Sequence, residues 1–219
     1  SGVQEKVVTL AVAQKVADIL RSAGMDVLLT RDADKHLGST TSTDLSARAK
    51  IANQAGVDCF VSIHCNSATN SKAQGTETYC YKGANEARKL AEAIQKYLIG
   101  DLGRPDRGVK EANFAVLRET AMPASLAELA FISNPTEEGL LENPNFQEKA
   151  AQAIAQGIAD YLGVKLVEKA NDAPKICVGN KVFDGIIIDG TTYVAVRALA
   201  EALGRKVVWD SKTRTVTIE

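Results

Sequence analysis

Residues 57–66, Val-Asp-Cys-Phe-Val-Ser-Ile-His-Cys-Asn, decide the fold. Val57 to Ile63 is apolar on both faces, which suits a strand covered by helices on two sides, and the run ends abruptly in His64 and Asn66. Upstream, Gly56 ends a segment that Asp44 can cap as a helix through Asn53. Before that lie a polar loop from Arg31 to Thr43 and a short apolar stretch, Asp26-Val-Leu-Leu-Thr30, which reads as a buried strand. Further back, Val8, Val12, Val16, Ile19 and Leu20 recur at three- and four-residue steps, the stripe of an amphipathic helix running from Gln4 to Ala23 and stopped by Gly24.

Downstream the alternation continues. Thr76 to Tyr81 reads as a strand, Ala84 to Ile99 as a helix, Phe114 to Arg118 as a short strand and Ala124 to Ile132 as a longer one. Asn134-Pro135 pairs an N-cap with a proline at the first helical position, and Asn145 to Leu162 carries Phe146, Ala150, Ile154, Ile158 and Leu162 in helical register. This pattern predicts an α/β domain over residues 1–163, with a mostly parallel sheet covered by helices on both faces and ligands placed where strands end. Residues 164–174 lack periodicity and carry Lys, Glu, Asn, Asp and Pro, the composition of a linker. Residues 175–219 are rich in β-branched side chains, with a hairpin signal at Asp189-Gly190 and a short helix from Val196 to Leu203, and predict a small α+β domain.

Composition narrows the function. The 219 residues are 45% apolar and 24% charged, and 26 basic against 27 acidic side chains leave a formal charge of -1. That balance excludes nucleic-acid binding driven by bulk charge. No apolar run reaches the roughly 18 residues of a membrane span, and Ser1 to Lys6 is not a signal segment. The four cysteines, Cys59, Cys65, Cys80 and Cys177, form neither a dense disulfide framework nor a C-x-x-C knuckle; the first three read as small buried hydrophobes, with a Cys59–Cys80 bridge the alternative. No Gly-rich phosphate loop follows a strand, which disfavours a nucleotide-binding protein.

Three residues stand out chemically. His64 follows an apolar strand at the edge where α/β domains hold ligands, whereas the other histidine, His36, sits in a polar loop. Glu128 interrupts the otherwise apolar run Ala124-Ser-Leu-Ala-Glu-Leu-Ala-Phe-Ile132, and a carboxylate there needs a cation, a metal or a chemical task, an ion pair with Arg118 being the structural alternative. Glu5 opens a helix, where an acidic side chain complements the macrodipole. Together, a histidine and two glutamates at element ends are what a zinc hydrolase uses: mixed ligands for the ion and one free carboxylate to take a proton from water.

The ordered motifs Gln4-Glu5-Lys6, Leu29-Thr30-Arg31 with Asp34, Arg48 with Ala52-Asn53, Phe60-Val-Ser-Ile-His-Cys-Asn66, Gly75-Thr-Glu-Thr-Tyr79, Asp106-Arg-Gly-Val-Lys110, Val116-Leu-Arg118 and Glu128-Leu-Ala-Phe-Ile-Ser-Asn134 resemble the zinc-dependent N-acetylmuramoyl-L-alanine amidases of type 3, from about residue 3 to residue 162. The resemblance implies an enzyme that hydrolyses the amide between N-acetylmuramic acid and L-alanine in peptidoglycan. It implies Glu5 and His64 as zinc ligands, Glu128 as the base that activates water on the zinc, and Asn66 and Arg118 as groups that orient substrate. It also implies action outside the cytoplasmic membrane, at the cell wall. The family opens with a strand and a D-P-G-H-G-G segment whose histidine is the first zinc ligand, and Ser1-Gly2-Val3 falls after that point; His36 is a candidate substitute. That difference leaves a second reading, a peptidoglycan-binding or regulatory module of the same fold without catalysis.

The segment from Asp189 to Gly204, followed by Val207 to Ile218, resembles the small domain named for the N-terminal stalk of copper amine oxidases. It contains no histidine, so the name implies no copper. Arg197 there can buttress the hairpin or touch a partner, and wall or protein binding is the expectation for this segment.

Overall fold

The computed structural model describes residues 2–166, 174–188, 191–210, 213 and 215–219, the side chains of 186–188 excepted. It divides into two compact units, Ser1–Leu166 and Val167–Glu219. In the first, α1 (Glu5–Ser22) and α2 (Thr41–Ala55) precede β1 (Phe60–Asn66), then β2 (Thr76–Cys80), α3 (Asn85–Leu102), β3 (Asp106–Glu111), the single turn α4 (Ala115–Arg118), β4 (Ala124–Phe131), α5 (Pro135–Glu142) and α6 (Pro144–Leu162). The sheet order is β1-β4-β2-β3, with β1–β4 and β2–β3 parallel and β4–β2 antiparallel. Helices lie on both faces, as the apolar strands require.

The larger core joins the stripe Val8, Val12, Val16 and Leu20 of α1 to Leu90, Ile94 and Leu98 of α3 and to Ala150, Ile154 and Ile158 of α6, over Ala127 and Leu129 of β4. Helices α3 and α6 touch closely at Gly157, where a Cβ would lie 2.6 Å from the Cα of Ile94, so only glycine fits this crossing. The opposite face carries a smaller cluster of Ala52, Phe60, Val116, Leu117, Ala124 and Leu126.

Several boundaries differ from the sequence reading. Asp26–Thr30 joins no ladder among the described residues, and Leu28 is 52% exposed. A strand exists only through its partner's hydrogen bonds, and this stretch instead lies beside a cavity of about 940 Å³ that it shares with α1, α2 and the outer edge of β1. It is tied to the unit by Arg21 Nη2 donating to the Val27 carbonyl at 2.9 Å and Arg48 Nη1 donating to Thr30 Oγ1 at 3.5 Å. Phe114–Arg118 is a helical turn rather than a strand, because Leu117 and Arg118 N–H groups both return to the Phe114 carbonyl. The cap of α2 is Thr40, in a reciprocal box with Thr43, while Asp44 inside the first turn accepts from Leu37 N–H and pairs with Arg48. Asn134 does cap α5, accepting from Thr136 and Glu137 N–H. All four cysteines are free thiols, so the alternative bridge is not formed, and Cys65 and Cys80 are buried.

In the second unit, β5 (Lys175–Val178) pairs with β6 (Lys181–Asp184), β7 (Ile186–Ile188) with β8 (Thr191–Tyr193), and β9 (Val207–Asp210) with β10 (Thr215–Ile218), all antiparallel. The helix α7 (Val196–Ala202) is tied to β9 by Arg197 Nη1 donating to the Val207 carbonyl at 3.1 Å. The turn expected at Asp189-Gly190 and most of the expected linker lie outside the described residues.

Candidate functional site

Register builds the site. His64 on β1 stands beside Glu128 on β4, and Glu128 stands opposite Glu77 on β2, so three ionisable side chains form one row across three adjacent strands. On the same face, two and four residues back, Ser62 faces Leu126 and Phe60 faces Ala124. The face thus turns from apolar to charged as β1 and β4 approach their C-terminal ends, the edge where α/β sheets place ligands. A bulge between His64 and Asn66 shifts the register there, which re-aims the strand end.

Glu5 meets this row from the first turn of α1. Its Oε1 lies 2.9 Å from His64 Nδ1 and accepts from the Cys65 N–H at 3.1 Å. Burial pushes the Glu5 carboxyl up, but the His64 contact and the Cys65 N–H outweigh it and hold it below its usual range. The other ring nitrogen, Nε2, is 2.9 Å from Ser62 Oγ, which sits two residues back on the same face and orients the ring. Ser62 drew no attention in the sequence, although the i, i+2 spacing on a strand was visible.

A carboxylate oxygen and an imidazole nitrogen that converge in this way match two donors of a His/Glu zinc set. Among the described residues no cluster of three His, Cys, Asp or Glu side chains is close enough to hold a metal ion. His36 is therefore not the substitute ligand considered; it is exposed in the loop before α2, near Asp34.

Among the described residues Glu128 has no ion pair of the kind its position called for. Its Oε2 is buried with no hydrogen-bond partner among the described residues. Arg118, the structural alternative, is engaged elsewhere, donating to Asn113 Oδ1 at 2.7 Å and Glu119 Oε1 at 2.9 Å. Burial raises the Glu128 carboxyl to about 7; the nearby His64 opposes the shift, and the negative charges of Glu5 and Glu77 add to it. Its proton is therefore exchangeable at neutral pH.

Glu77 is the residue that sequence reading passed over. Its side chain is 3% exposed and is saturated with donors: Asn66 Nδ2 and the Tyr79 hydroxyl on Oε1, both at 2.6 Å, and Arg107 Nε at 2.6 Å and Lys110 Nζ on Oε2. Burial raises its carboxyl, but these donors outweigh that and pull it to about 2. Asn66 is consequently locked, its Oδ1 accepting from the Ser67 N–H at 2.9 Å. The alternation of Glu77 with Tyr79 was a legible signal, but its cations come from β3, which the sequence reading left as an unassigned motif. Beneath the row, fully buried Glu137 accepts from Gly75 N–H at 2.9 Å and Phe131 N–H at 2.7 Å, joining the start of β2 to the end of β4.

A family model described as N-acetylmuramoyl-L-alanine amidase matches residues 1–160, and one described as copper amine oxidase N-terminal domain matches residues 178–219. YqiI of Bacillus subtilis is 44% identical over 164 residues, which are 74% of this chain and 76% of YqiI. The N-acetylmuramoyl-L-alanine amidase LytC of the same organism is 39% identical over 164 residues, again 74% of this chain but only 32% of LytC. A cell wall amidase from Bacillus anthracis is 44% identical over 142 residues, 61% of this chain and 27% of that protein, so the chain spans about a quarter to a third of the latter two relatives. Among solved structures, the catalytic domain of the amidase CwlV from Bacillus (Paenibacillus) polymyxa superimposes with a TM-score of 0.69 at 41% identity, covering 75% of this chain and 88% of CwlV's. The amidase CwlD from Clostridioides difficile, solved with the lipoprotein GerS, gives a TM-score of 0.71 at 32% identity, covering 75% and 89%. With a family model covering most of its first unit and these relatives agreeing with the layout of that unit, the chain belongs to the N-acetylmuramoyl-L-alanine amidase family.

Proposed function

We propose that the chain is a zinc-dependent amidase that cleaves between N-acetylmuramic acid and L-alanine in peptidoglycan, acting at the cell wall. The observation that carries this reading is the in-register row His64–Glu128–Glu77 with Glu5 joined to His64 at 2.9 Å, which gathers two donors suited to a metal and one unpaired, readily protonated carboxyl. Glu5 and His64 would hold the ion, with a third donor that the described residues do not supply, and Ser62 would fix the His64 ring by accepting its Nε2 proton. Zinc supplies Lewis acidity, making water a stronger nucleophile at neutral pH and polarising the scissile carbonyl.

The chain's own chemistry is proton management. Glu128, poised near neutrality by burial, takes the proton of the attacking water and returns it to the leaving amine. Asn66, locked by Glu77, and Arg118 on α4 orient the substrate. Residues 1–163 serve as the catalytic domain, 164–174 as a linker, and 175–219 as an accessory domain that binds wall or protein. No described helix is long and apolar enough to cross a membrane.

The test is release of stem peptide from purified cell wall by the full chain, with and without chelator. Turnover that is abolished by chelation and restored by zinc supports the reading. Binding to wall without release, unaffected by chelation, would instead establish the non-catalytic module.

A further inference from the structure

We propose that Arg107 and Lys110 form a carboxylate-recognition subsite beside Glu128, so that the chain reads a free carboxylate on the peptide of its substrate. The proposal rests on the muramoyl-peptide reading above and extends it to the peptide side of the scissile bond.

Two cations converge on one oxygen. Arg107 Nε lies 2.6 Å from Glu77 Oε2, and Lys110 Nζ contacts the same atom. The carboxylate is 3% exposed, while the two cationic side chains are 36% and 38% exposed, so their outer sides face solvent. One cation suffices to neutralise Glu77; of the other acids of β3, Glu111 pairs with Arg88 at 3.1 Å, and Asp106 Oδ1 is turned to Gln95 Nε2 at 2.7 Å and Gly108 N–H at 2.8 Å rather than to Arg107 or Lys110. The cluster of Glu77, Arg107 and Lys110 thus carries one positive charge in excess.

Both cations are held in place before any ligand arrives. Arg107 also donates to the Gln74 carbonyl at 3.3 Å and stacks 4.9 Å from the Phe131 ring centre, and Lys110 lies 5.9 Å from that of Tyr79. Such preorganisation lowers the entropic cost of gripping a planar anion, for which a guanidinium is well shaped. Position selects which anion. Glu77 is two strands from His64, about 10 Å at the usual spacing of neighbouring strands, and an extended peptide covers that distance in about three residues. The anion recognised therefore lies within the first residues after the cleaved amide.

The test uses the zinc-loaded full chain and two soluble muramoyl-peptides that differ only in whether the carboxylate on the residue after alanine is free or amidated. The expected result is a kcat/KM about tenfold higher for the free acid, carried by KM, in low salt. Lys110→Met and Arg107→Met, each of which leaves Glu77 one cation, should bring that ratio close to unity, with thermal melting confirming that the variants fold. Equal cleavage of both peptides by the parent chain, or an unchanged ratio in both variants, would overturn the subsite and leave the amidase reading intact. If neither peptide is cleaved, the amidase reading fails, and calorimetric titration of the same acid and amide pair decides the subsite: tighter binding of the acid supports it, while equal or undetectable binding overturns it.

Discussion

Glu128→Gln should make the metal-free protein more stable and catalytically dead. The carboxyl sits at about 7 in the folded chain against an ordinary 4.5, because burial strips its hydration and no donor among the described residues replaces it. Below pH 4.5 both folded and unfolded forms carry the proton, and the site costs nothing. Between pH 4.5 and about 7 the unfolded chain ionises while the folded chain retains its proton, so stability falls as pH rises. Above that the loss levels off at about 3 kcal/mol, from a shift of about 2.5 units at 1.36 kcal/mol each. Glutamine keeps the shape without the ionisation. Urea denaturation of chelator-treated parent and variant at pH 4, 6 and 8 should therefore show a stability difference that grows with pH in favour of the variant. A difference that is flat across pH, or that favours the parent at pH 8, would refute the assignment of Glu128 as a desolvated, unpaired carboxyl. The same substitution should lower kcat at least a hundredfold with the metal present, as expected for loss of a general base.

Other consequences separate the roles of the remaining residues. Glu128→Ala should retain zinc and lose turnover, whereas His64→Ala should lose both, as read by metal analysis of dialysed protein alongside wall hydrolysis. Glu137→Ala should destabilise the first unit by about 3 kcal/mol, since it strands the buried N–H groups of Gly75 and Phe131, and Glu137→Gln should cost less because one acceptor oxygen survives; chemical denaturation measures both. Gly157→Ala drives a methyl group into the Ile94 backbone and should cost about 1–3 kcal/mol or more, visible as a lower Tm.

Most of the first unit was legible because each element announces its own period. The stripe of α1, the both-faces apolar run of β4 and the Asn134-Pro135 start of α5 are local properties, and they appear within a residue or two of where they were expected, whereas β1, expected at Val57–Ile63, forms three residues later at Phe60–Asn66. Asp26–Thr30 failed because β-branched and apolar character only permits a strand, while a ladder partner makes one. Phe114–Arg118 failed because five residues are too few for a period to distinguish turn from strand.

His64, Glu5 and Glu128 were singled out by their chemical oddity, a charge or an imidazole where apolar residues were due, and that oddity is written in the chain. Their convergence was not. It depends on the register of β1, β4 and β2 and on where α1 begins, and register is set by packing across the whole sheet. Glu77 shows the limit most clearly: in the sequence it is one polar residue in a strand, and only the pairing of β2 with β3 brings Arg107 and Lys110 onto its carboxylate and makes it the centre of a charged network.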